Sequence, residues 1–397
     1  MMLWKVVGKV RPLPNSLLRP LCTATRVITN DPANNVSLSV AAKVGKNLHL
    51  RVGHPLNIIK ERIEVYFQEP NTLLGQPNFQ VFDDLPPVVS VYDNFDSLLI
   101  PVDHVSRQPT DTYYVDEARV LRCHTSAHQT TLLMQGQNSF LVCGDVYRRD
   151  EIDRSHYPVF HQMEGVRVFR DDEVPPTTDI EARVAIVSSD LKNALEGLAR
   201  HLFGDVEMRW VDAYFPFTHH SAELEILFRG DWMEVLGCGV IQEKVMQNSG
   251  RQEETGWAFG LGLERLAMVL FSIPDIRLFW SDDERFTSQF KAGTISQFTP
   301  YSKYPPCFKD VSFWLPREAE RTFHNNDMFE VVRDVAGDLV EEVQLVDTFV
   351  HPKTQRQSNC FRITYRSMSR SLTNEEVDKL QERVRQDLIS RLCVELR

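Results

Sequence analysis

Several features that would fix a class of protein are missing from this 397-residue chain. None of the seven cysteines forms a CxxC pair, so neither a zinc ribbon nor a disulfide scaffold is expected. No run of 18 apolar residues occurs, which argues against a transmembrane helix. We find no internal repeat and no low-complexity segment. Scattered single thiols are typical of a protein in a reducing compartment.

The first 30 residues contain no acidic side chain, and the first acid of the chain is Asp31. The basic residues of this stretch are Lys5, Lys9, Arg11, Arg19 and Arg26. Basic residues and prolines interrupt the apolar core that a secretory signal would need. The composition therefore predicts a mitochondrial transit peptide over residues 1–30, and the alternative is a disordered tail.

The remaining chain has the composition of a globular protein, with 42% hydrophobic and 25% charged residues. Its length is too great for one ordinary core and predicts two or three domains. Residues 31–290 mix helical and strand patterns and hold most of the glycine and aromatic residues. A connector over 291–305 separates them from a last part, 306–397, with a pattern of its own.

The last part alternates strand and helix patterns in a recognisable order. We predict strands at 310–315, 342–350, 361–368 and 393–396, and helices over 327–340 and from Thr373 onward. Thr373 and Glu376 form a capping box, and Val377, Leu380 and Val384 follow at helical spacing. The order β-α-β-β-α-β predicts a ferredoxin-like fold.

Two segments carry the chemistry, and the first is a predicted pair of strands joined by a polar loop. The first strand ends in Arg148 and Arg149, and the second carries Phe160, Gln162 and Glu164 at period two, hence on one face. A guanidinium, a ring, an amide and a carboxylate on one surface suit a nucleotide and an amino acid. An ordinary hairpin with a solvated face is the alternative.

The second segment is a glycine-rich strand that leads into a helix, GWAFGLGLERLAM over residues 256–268. Its GxG could suggest a dinucleotide loop, but the third glycine and the surrounding βαβ unit are missing. The glycines are better explained by close approach of a ligand to the backbone. Arg265 lies in the first turns of the helix.

Together these segments resemble motifs 2 and 3 of class II aminoacyl-tRNA synthetases. More narrowly, GDVYRRD…HYPVFHQMEG, LRCHTSAHQ, YFPFT, WMEVLGCG and GWAFGLGLERLAM are similar to the phenylalanyl-tRNA synthetases. Residues 306–397 resemble the ferredoxin-fold anticodon-binding domain of the single-chain mitochondrial form. The match covers roughly residues 50–397. It implies an α+β protein: a class II antiparallel-sheet catalytic domain followed by a ferredoxin-like βαββαβ domain.

The resemblance implies a role for each matching residue in ATP binding. Arg148 and Arg265 would be the catalytic cations, Arg148 at the α-phosphate and Arg265 at the far phosphates and against adenine, opposite Phe160. The other expected ATP-binding residues are Ser155, His156, Tyr157 and Glu234. Mg²⁺ is expected with the triphosphate, and no cluster of protein metal ligands is predicted.

The resemblance also implies a phenylalanine site. The residues expected there are His124, Ser126, Ala127, His128, Gln129, Gln162, Glu164, Phe215, Phe217, Ala258 and Phe259. Gln162 and Glu164 would take the ammonium, Phe215 and Phe217 the ring, and Ala258 would close the pocket. From the residues alone, TSAHQ could be a helix cap and FPF plain core packing. An apolar pocket and the lack of a recognisable editing domain predict measurable tyrosine mischarging.

Residues 348–374 contain five basic residues and no acid, in a chain whose net charge is −11. Lys353, Arg356, Arg362, Arg366 and Arg370 are predicted to bind tRNA(Phe), with a solvated face as the alternative. The resemblance implies a monomer in the mitochondrial matrix, with L-phenylalanine and ATP as further partners. A non-catalytic RNA-binding relative and a class II synthetase for another amino acid are the competing hypotheses.

Overall fold

The computed structural model describes residues 27–69, 78–170, 173–174, 179–301, 304–316 and 322–397. Apart from its last four residues, the predicted transit peptide lies outside the described residues. Within the described ranges, no helix combines the length and the apolar character that a bilayer span requires.

A seven-stranded sheet forms the centre of the larger part of the chain. In chain order the strands of this part are β1 (Gln80–Phe82), β2 (Val88–Ser90), β3 (Arg119–Leu121), β4 (Ser139–Tyr147), β5 (Val159–Phe169), β6 (Met208–Asp212), β7 (Thr218–Phe228), β8 (Asp231–Ile241) and β9 (Thr255–Gly262). The sheet has the order β1-β4-β5-β9-β8-β7-β6, while β2 and β3 pair separately. Only β1 runs parallel to its neighbour, so the sheet is antiparallel across its centre.

Helices cover one face of this sheet. The helices of this part are α1 (Leu38–Ala41), α2 (Pro55–Gln68), α3 (Val91–Asn94), α4 (Gln129–Met134), α5 (Ile180–Phe203), α6 (Glu243–Asn248), α7 (Leu263–Phe271) and α8 (Glu284–Thr287). Helix α5 packs on β8 and β9, and α7 packs on β5 and α2. Asp179 caps α5, whose buried Leu191, Leu195 and Leu198 face the sheet at helical spacing. The opposite face is covered in part by α4 and α6, and the rest borders a cavity.

The predicted β-α-β-β-α-β order of the last part is confirmed. Its elements are β10 (Cys307–Trp314), α9 (Asn325–Ala336), β11 (Val340–Val350), β12 (Gln357–Tyr365), α10 (Asn374–Leu392) and β13 (Glu395–Leu396), with sheet order β11-β12-β10-β13. The capping box of Thr373 and Glu376 is also confirmed. Helix α9 ends at Ala336, earlier than predicted, because Gly337 follows with φ of 53°.

This ferredoxin-like part is docked on the loop that joins β4 to β5. The Tyr157 hydroxyl donates to Asp338 at 2.5 Å, and Arg149 pairs with Asp327 at 3.0 Å. The backbone N–H of Val343 donates to the carbonyl of Ile152 at 3.0 Å, and Ile152 is buried in the core of the ferredoxin-like part. The loop therefore belongs to both parts of the molecule.

Candidate active site

A cavity of about 760 Å³ lies over the open face of the large sheet. Its floor is glycine-rich: Gly260 of β9 pairs with Glu164 of β5 on one side and with Gly237 of β8 on the other. A Cβ atom added at Gly260 or at the neighbouring Gly262 would meet no heavy atom within 4 Å. No side chain therefore covers the backbone at these two positions, and a flat ligand could lie on it, as the glycine-rich sequence predicts.

Two polar side chains in the wall of the cavity lack the partners that buried groups normally have. Among the described residues, neither oxygen of Glu164 and neither ring nitrogen of His124 has a hydrogen-bond partner. Burial raises the pKa of Glu164 to about 7, against the opposing influence of Ser126 and Thr125. Burial and the nearby Arg148 lower the pKa of His124 to about 3. Because unpaired buried polar groups are rare, these two indicate a site for a polar ligand.

Arg148 brings a positive charge to the same cavity. It follows directly after β4, its Nε donates to the carbonyl of Cys123 at 2.9 Å, and its guanidinium lies 5.2 Å from the ring centroid of Phe160. No carboxylate within the described ranges forms an ion pair with it, and burial lowers its pKa. A partly buried guanidinium without an acidic partner is suited to bind an anion.

Carboxylates line the other end of the cavity, beside the second predicted arginine. Arg265, in the first turn of α7, donates to Glu234 at 2.9 Å, and both side chains are about half exposed. Glu223 also lines the cavity, and burial together with repulsion from Glu234 and Glu225 raises its pKa. Two acids and one arginine at a solvent-facing edge can hold a triphosphate with a divalent cation.

An apolar pocket completes the cavity. The rings of Phe215 and Phe217 both line it and stack with centroids 6.0 Å apart at 18°. Phe215 rests on Gly237, where an added Cβ would come within 2.8 Å of the ring. Ala258, 5% exposed, adds a small side chain to the wall. The pocket therefore has the size and character for an aromatic side chain.

Some predicted site residues lie elsewhere. Phe259 follows Ala258 on a strand, so its ring points to the opposite face, where it stacks on Phe67 at 5.3 Å, although the residue borders the cavity. Its role in phenylalanine binding stays a prediction. Tyr157 faces the ferredoxin-like part and stacks on Trp280, which does not support a role in ATP binding.

Other predicted residues lie near the cavity but are not in its wall. Gln129 is buried with both ends of its amide unpaired among the described residues. Ala127 packs in a small apolar cluster, and His128 contacts Arg122 through Nε2 at 2.8 Å. Ser155 and His156 are held by hydrogen bonds to Asp153 on the β4–β5 loop. Their assignments stay predictions.

The basic residues predicted to bind tRNA are mostly paired with acids. Arg356 pairs with Glu395, Arg362 with Asp310, Arg366 with Glu341, and Arg370 with Glu376, all within 3.0 Å. The sequence analysis missed an aromatic cluster at one end of the same sheet. It consists of Trp314, Phe349 and His351, with the Arg397 guanidinium 4.6 Å from the Phe349 ring and Arg356 5.5 Å from the Trp314 ring.

Comparison with known proteins agrees with both halves of this arrangement. Residues 40–290 match the family model "tRNA synthetases class II core domain (F)", and residues 302–397 match "Ferredoxin-fold anticodon binding domain". The chain accordingly has the fold of a class II aminoacyl-tRNA synthetase with an appended ferredoxin-fold domain.

Relatives of high identity narrow this class further. Phenylalanine–tRNA ligase, chloroplastic/mitochondrial, of Arabidopsis thaliana is 56% identical over 369 residues, 93% of this chain and 84% of the relative. The mitochondrial phenylalanine–tRNA ligase of Mus musculus is 50% identical over 97% of this chain and 90% of its own length. That of Saccharomyces cerevisiae is 40% identical over 93% of both chains. The chain belongs to the family of mitochondrial phenylalanine–tRNA ligases.

Proposed function

We propose that this chain activates L-phenylalanine with ATP and then transfers it to the 3′-terminal ribose of tRNA(Phe), releasing diphosphate and AMP, in the mitochondrial matrix. The observation that carries this proposal is the unpaired carboxylate of Glu164, which shares one cavity with the unpaired cation Arg148 and with two stacked rings. An amino acid with an aromatic side chain and a phosphate complements all three features.

In the first half-reaction the substrate carboxylate attacks the α-phosphorus of ATP, so no general base is needed. Glu164 and Gln162 hold the ammonium, and Phe215 and Phe217 hold the ring. Arg148 then stabilises the charge that develops on the α-phosphate, because its guanidinium is partly desolvated and fixed by the carbonyl of Cys123. Removing such a preorganised donor typically costs about 3–4 kcal/mol of transition-state stabilisation.

The nucleotide is held at the other end of the cavity. The adenine stacks between Phe160 and Arg265, and Arg265 exchanges its contact with Glu234 for the far phosphates. Glu234 and Glu223 supply carboxylate oxygens, the donors that Mg²⁺ prefers, and would hold the Mg²⁺ that accompanies the triphosphate. The cation would supply charge neutralisation of the phosphates.

In the second half-reaction the 3′-terminal ribose must reach the cavity while the ferredoxin-like part binds another region of the tRNA. The cluster of Trp314, Phe349 and His351 offers ring faces to unpaired bases, and the adjacent Arg356 and Arg397 offer cations to phosphates. We infer that the enzyme acts as a monomer, as its single-chain mitochondrial relatives suggest.

Pyrophosphate exchange tests the proposal directly. The protein is incubated with ATP, labelled pyrophosphate and each of the twenty amino acids in turn. Exchange with phenylalanine above all others is expected, because the apolar pocket excludes polar side chains. No exchange with any amino acid would favour a non-catalytic RNA-binding relative, and preference for another amino acid would favour a different synthetase.

Charge reversal on the ferredoxin-like part tests the tRNA contact. The double variant Lys353→Glu, Arg362→Glu should lower kcat/KM for tRNA charging by at least tenfold and leave phenylalanine-dependent exchange unchanged. Arg385→Glu on α10 is the matched control, since it is a similarly exposed arginine on a helix rather than on the sheet. Equal loss in both assays, or an equal effect of the control, would contradict the assignment.

A further inference from the structure

A buried hydrogen-bonded pair joins the two segments of the proposed ATP site from the side opposite to the cavity. His161 lies between Phe160 and Gln162 on β5 and is fully buried, while Glu264 directly precedes Arg265 and is 3% exposed. Glu264 Oε2 accepts the backbone N–H of His161 at 2.8 Å, and Oε1 lies 2.7 Å from His161 Nδ1. Neither residue lines the cavity.

The hydrogen bonds between His161 and Glu264 have a defined direction. With a carboxylate at Nδ1, the imidazole donates Nδ1–H to Glu264, which therefore receives two N–H groups from one residue. Glu264 is also the second residue of α7, after Leu263, where the positive end of the helix dipole favours an anion. Three favourable contributions thus stabilise a carboxylate that is otherwise buried.

This pair restrains the rotation of α7 about its axis, which strand pairing alone does not determine. Pairing of Gln162 with Gly262 fixes the end of β9 beside β5, but it does not fix the rotation of α7 about its own axis. Apolar packing orients α7 as a whole, and Glu264 adds a directional restraint, because its two bonds to a single strand residue tie the first helical turn to β5. The next residue is Arg265, whose own ion pair with Glu234 is about half exposed and weakly restraining.

We propose that His161 and Glu264 are positioning residues for ATP: they hold Arg265 of the helix at the distance from Phe160 of the strand that an adenine between them requires. The inference rests on the proposed function, in which Phe160 and Arg265 bind the nucleotide. It predicts a larger defect for ATP than for phenylalanine, since Glu164, Phe215 and Phe217 are not held by this pair and only Gln162 of the phenylalanine site is adjacent to it.

Variants at His161 separate positioning from plain stability. His161→Leu removes the donor to Glu264 while keeping a buried apolar volume, and His161→Asn keeps an N–H close to the position of Nδ1. In pyrophosphate exchange, KM for ATP should rise at least tenfold in His161→Leu and recover to within threefold of wild type in His161→Asn. KM for phenylalanine should stay within threefold in both, and Glu264→Gln, which can still accept the backbone N–H, should resemble His161→Asn.

The control is a second buried pair on the same strand. Asp190 of α5 contacts Arg167 of β5 at 3.3 Å and accepts from Trp257 at 2.9 Å, away from the cavity. Asp190→Ala should lower the thermal unfolding midpoint but leave KM for ATP within twofold. If His161→Leu does not fold, His161→Asn and Glu264→Gln are compared with wild type by calorimetric ATP binding, where an affinity loss of two- to threefold is expected.

Unchanged KM for ATP in a folded His161→Leu, or equal rises in both KM values, would overturn the positioning role. ATP affinity equal to wild type in the two conservative variants, measured because His161→Leu is unfolded, would also overturn it. Absence of exchange in the wild-type protein is a different outcome, because it would remove the proposed function itself.

Discussion

Replacing Glu164 by glutamine removes one charge from the cavity and little else. Glu164 is 2% exposed, and among the described residues only the hydroxyls of Ser126 and Thr125 lie close enough to stabilise its charge. A glutamine oxygen can still accept from these hydroxyls. What is lost is the charged hydrogen bond to the ammonium of phenylalanine, which is worth about 1.5–3 kcal/mol. KM for phenylalanine should therefore rise roughly 10- to 150-fold. The thermal midpoint at pH 8 should not fall, because the variant no longer buries an unpaired carboxylate.

The pH dependence distinguishes the loss of this carboxylate from a general loss of binding. The pKa of Glu164 is raised to about 7, so the carboxyl is neutral below that pH and can hold an ammonium only above it. In wild-type protein, kcat/KM for phenylalanine in pyrophosphate exchange should fall about tenfold per pH unit below pH 7. The Glu164→Gln profile should lack this limb. Parallel profiles, or a KM that changes less than threefold, would refute the reasoning.

Three further predictions concern the cavity and the buried histidines. Gly260→Ala should keep or slightly raise stability, by about 0.4–1 kcal/mol in chemical denaturation, yet lower kcat/KM in exchange by roughly tenfold because the methyl group enters the cavity; full activity would show that no ligand lies there. Wild-type kcat/KM should favour phenylalanine over tyrosine by only about 10², and Ala258→Gly should admit para-substituted phenylalanines; a ratio above roughly 10⁴ would contradict an apolar pocket. Burial lowers the pKa of His49 and His54 to about 4 and of His124 and His128 to about 3. Unfolding lets these histidines take up protons below about pH 6.5. Each should therefore lower the free energy of unfolding by about 1.4 kcal/mol at pH 5.5 relative to pH 8. The raised pKa of Glu164 has the opposite effect over this range, and urea unfolding that is independent of pH would contradict the reasoning.

Local patterns predicted the parts of the site that depend on strand and helix periodicity. Period two on β5 placed Gln162 and Glu164 on one face, and both line the cavity. The same rule directs the ring of Phe259 to the face opposite to that of Ala258, where it stacks on Phe67, although the residue borders the cavity. The capping box at Thr373 was predictable because both of its partners lie within one helical turn.

Contacts between distant segments could not be predicted in the same way. The arginines at 356, 362 and 366 are neutralised by Glu395, Asp310 and Glu341, which approach only when the ferredoxin-like sheet forms and docks. Tyr157 is held against this part by Asp338, 181 residues further along the chain. A count of charged residues over 348–374 includes the cations but not their acidic partners, so it overestimates the free positive charge.

The two faces of β5 differ in how their buried polar side chains are paired. On the cavity face, raising the pKa of Glu164 from its usual 4.5 to about 7 costs about 3 kcal/mol in the ligand-free state, and a bound ammonium offsets that cost. On the opposite face, His161 and Glu264 satisfy each other fully at the Nδ1 and carboxylate atoms and need no ligand. The other ring nitrogen, Nε2, has no hydrogen-bond partner among the described residues. The rear face is therefore held to α7 by the two bonds to Glu264, while the cavity face receives its partner only when the substrate ammonium binds.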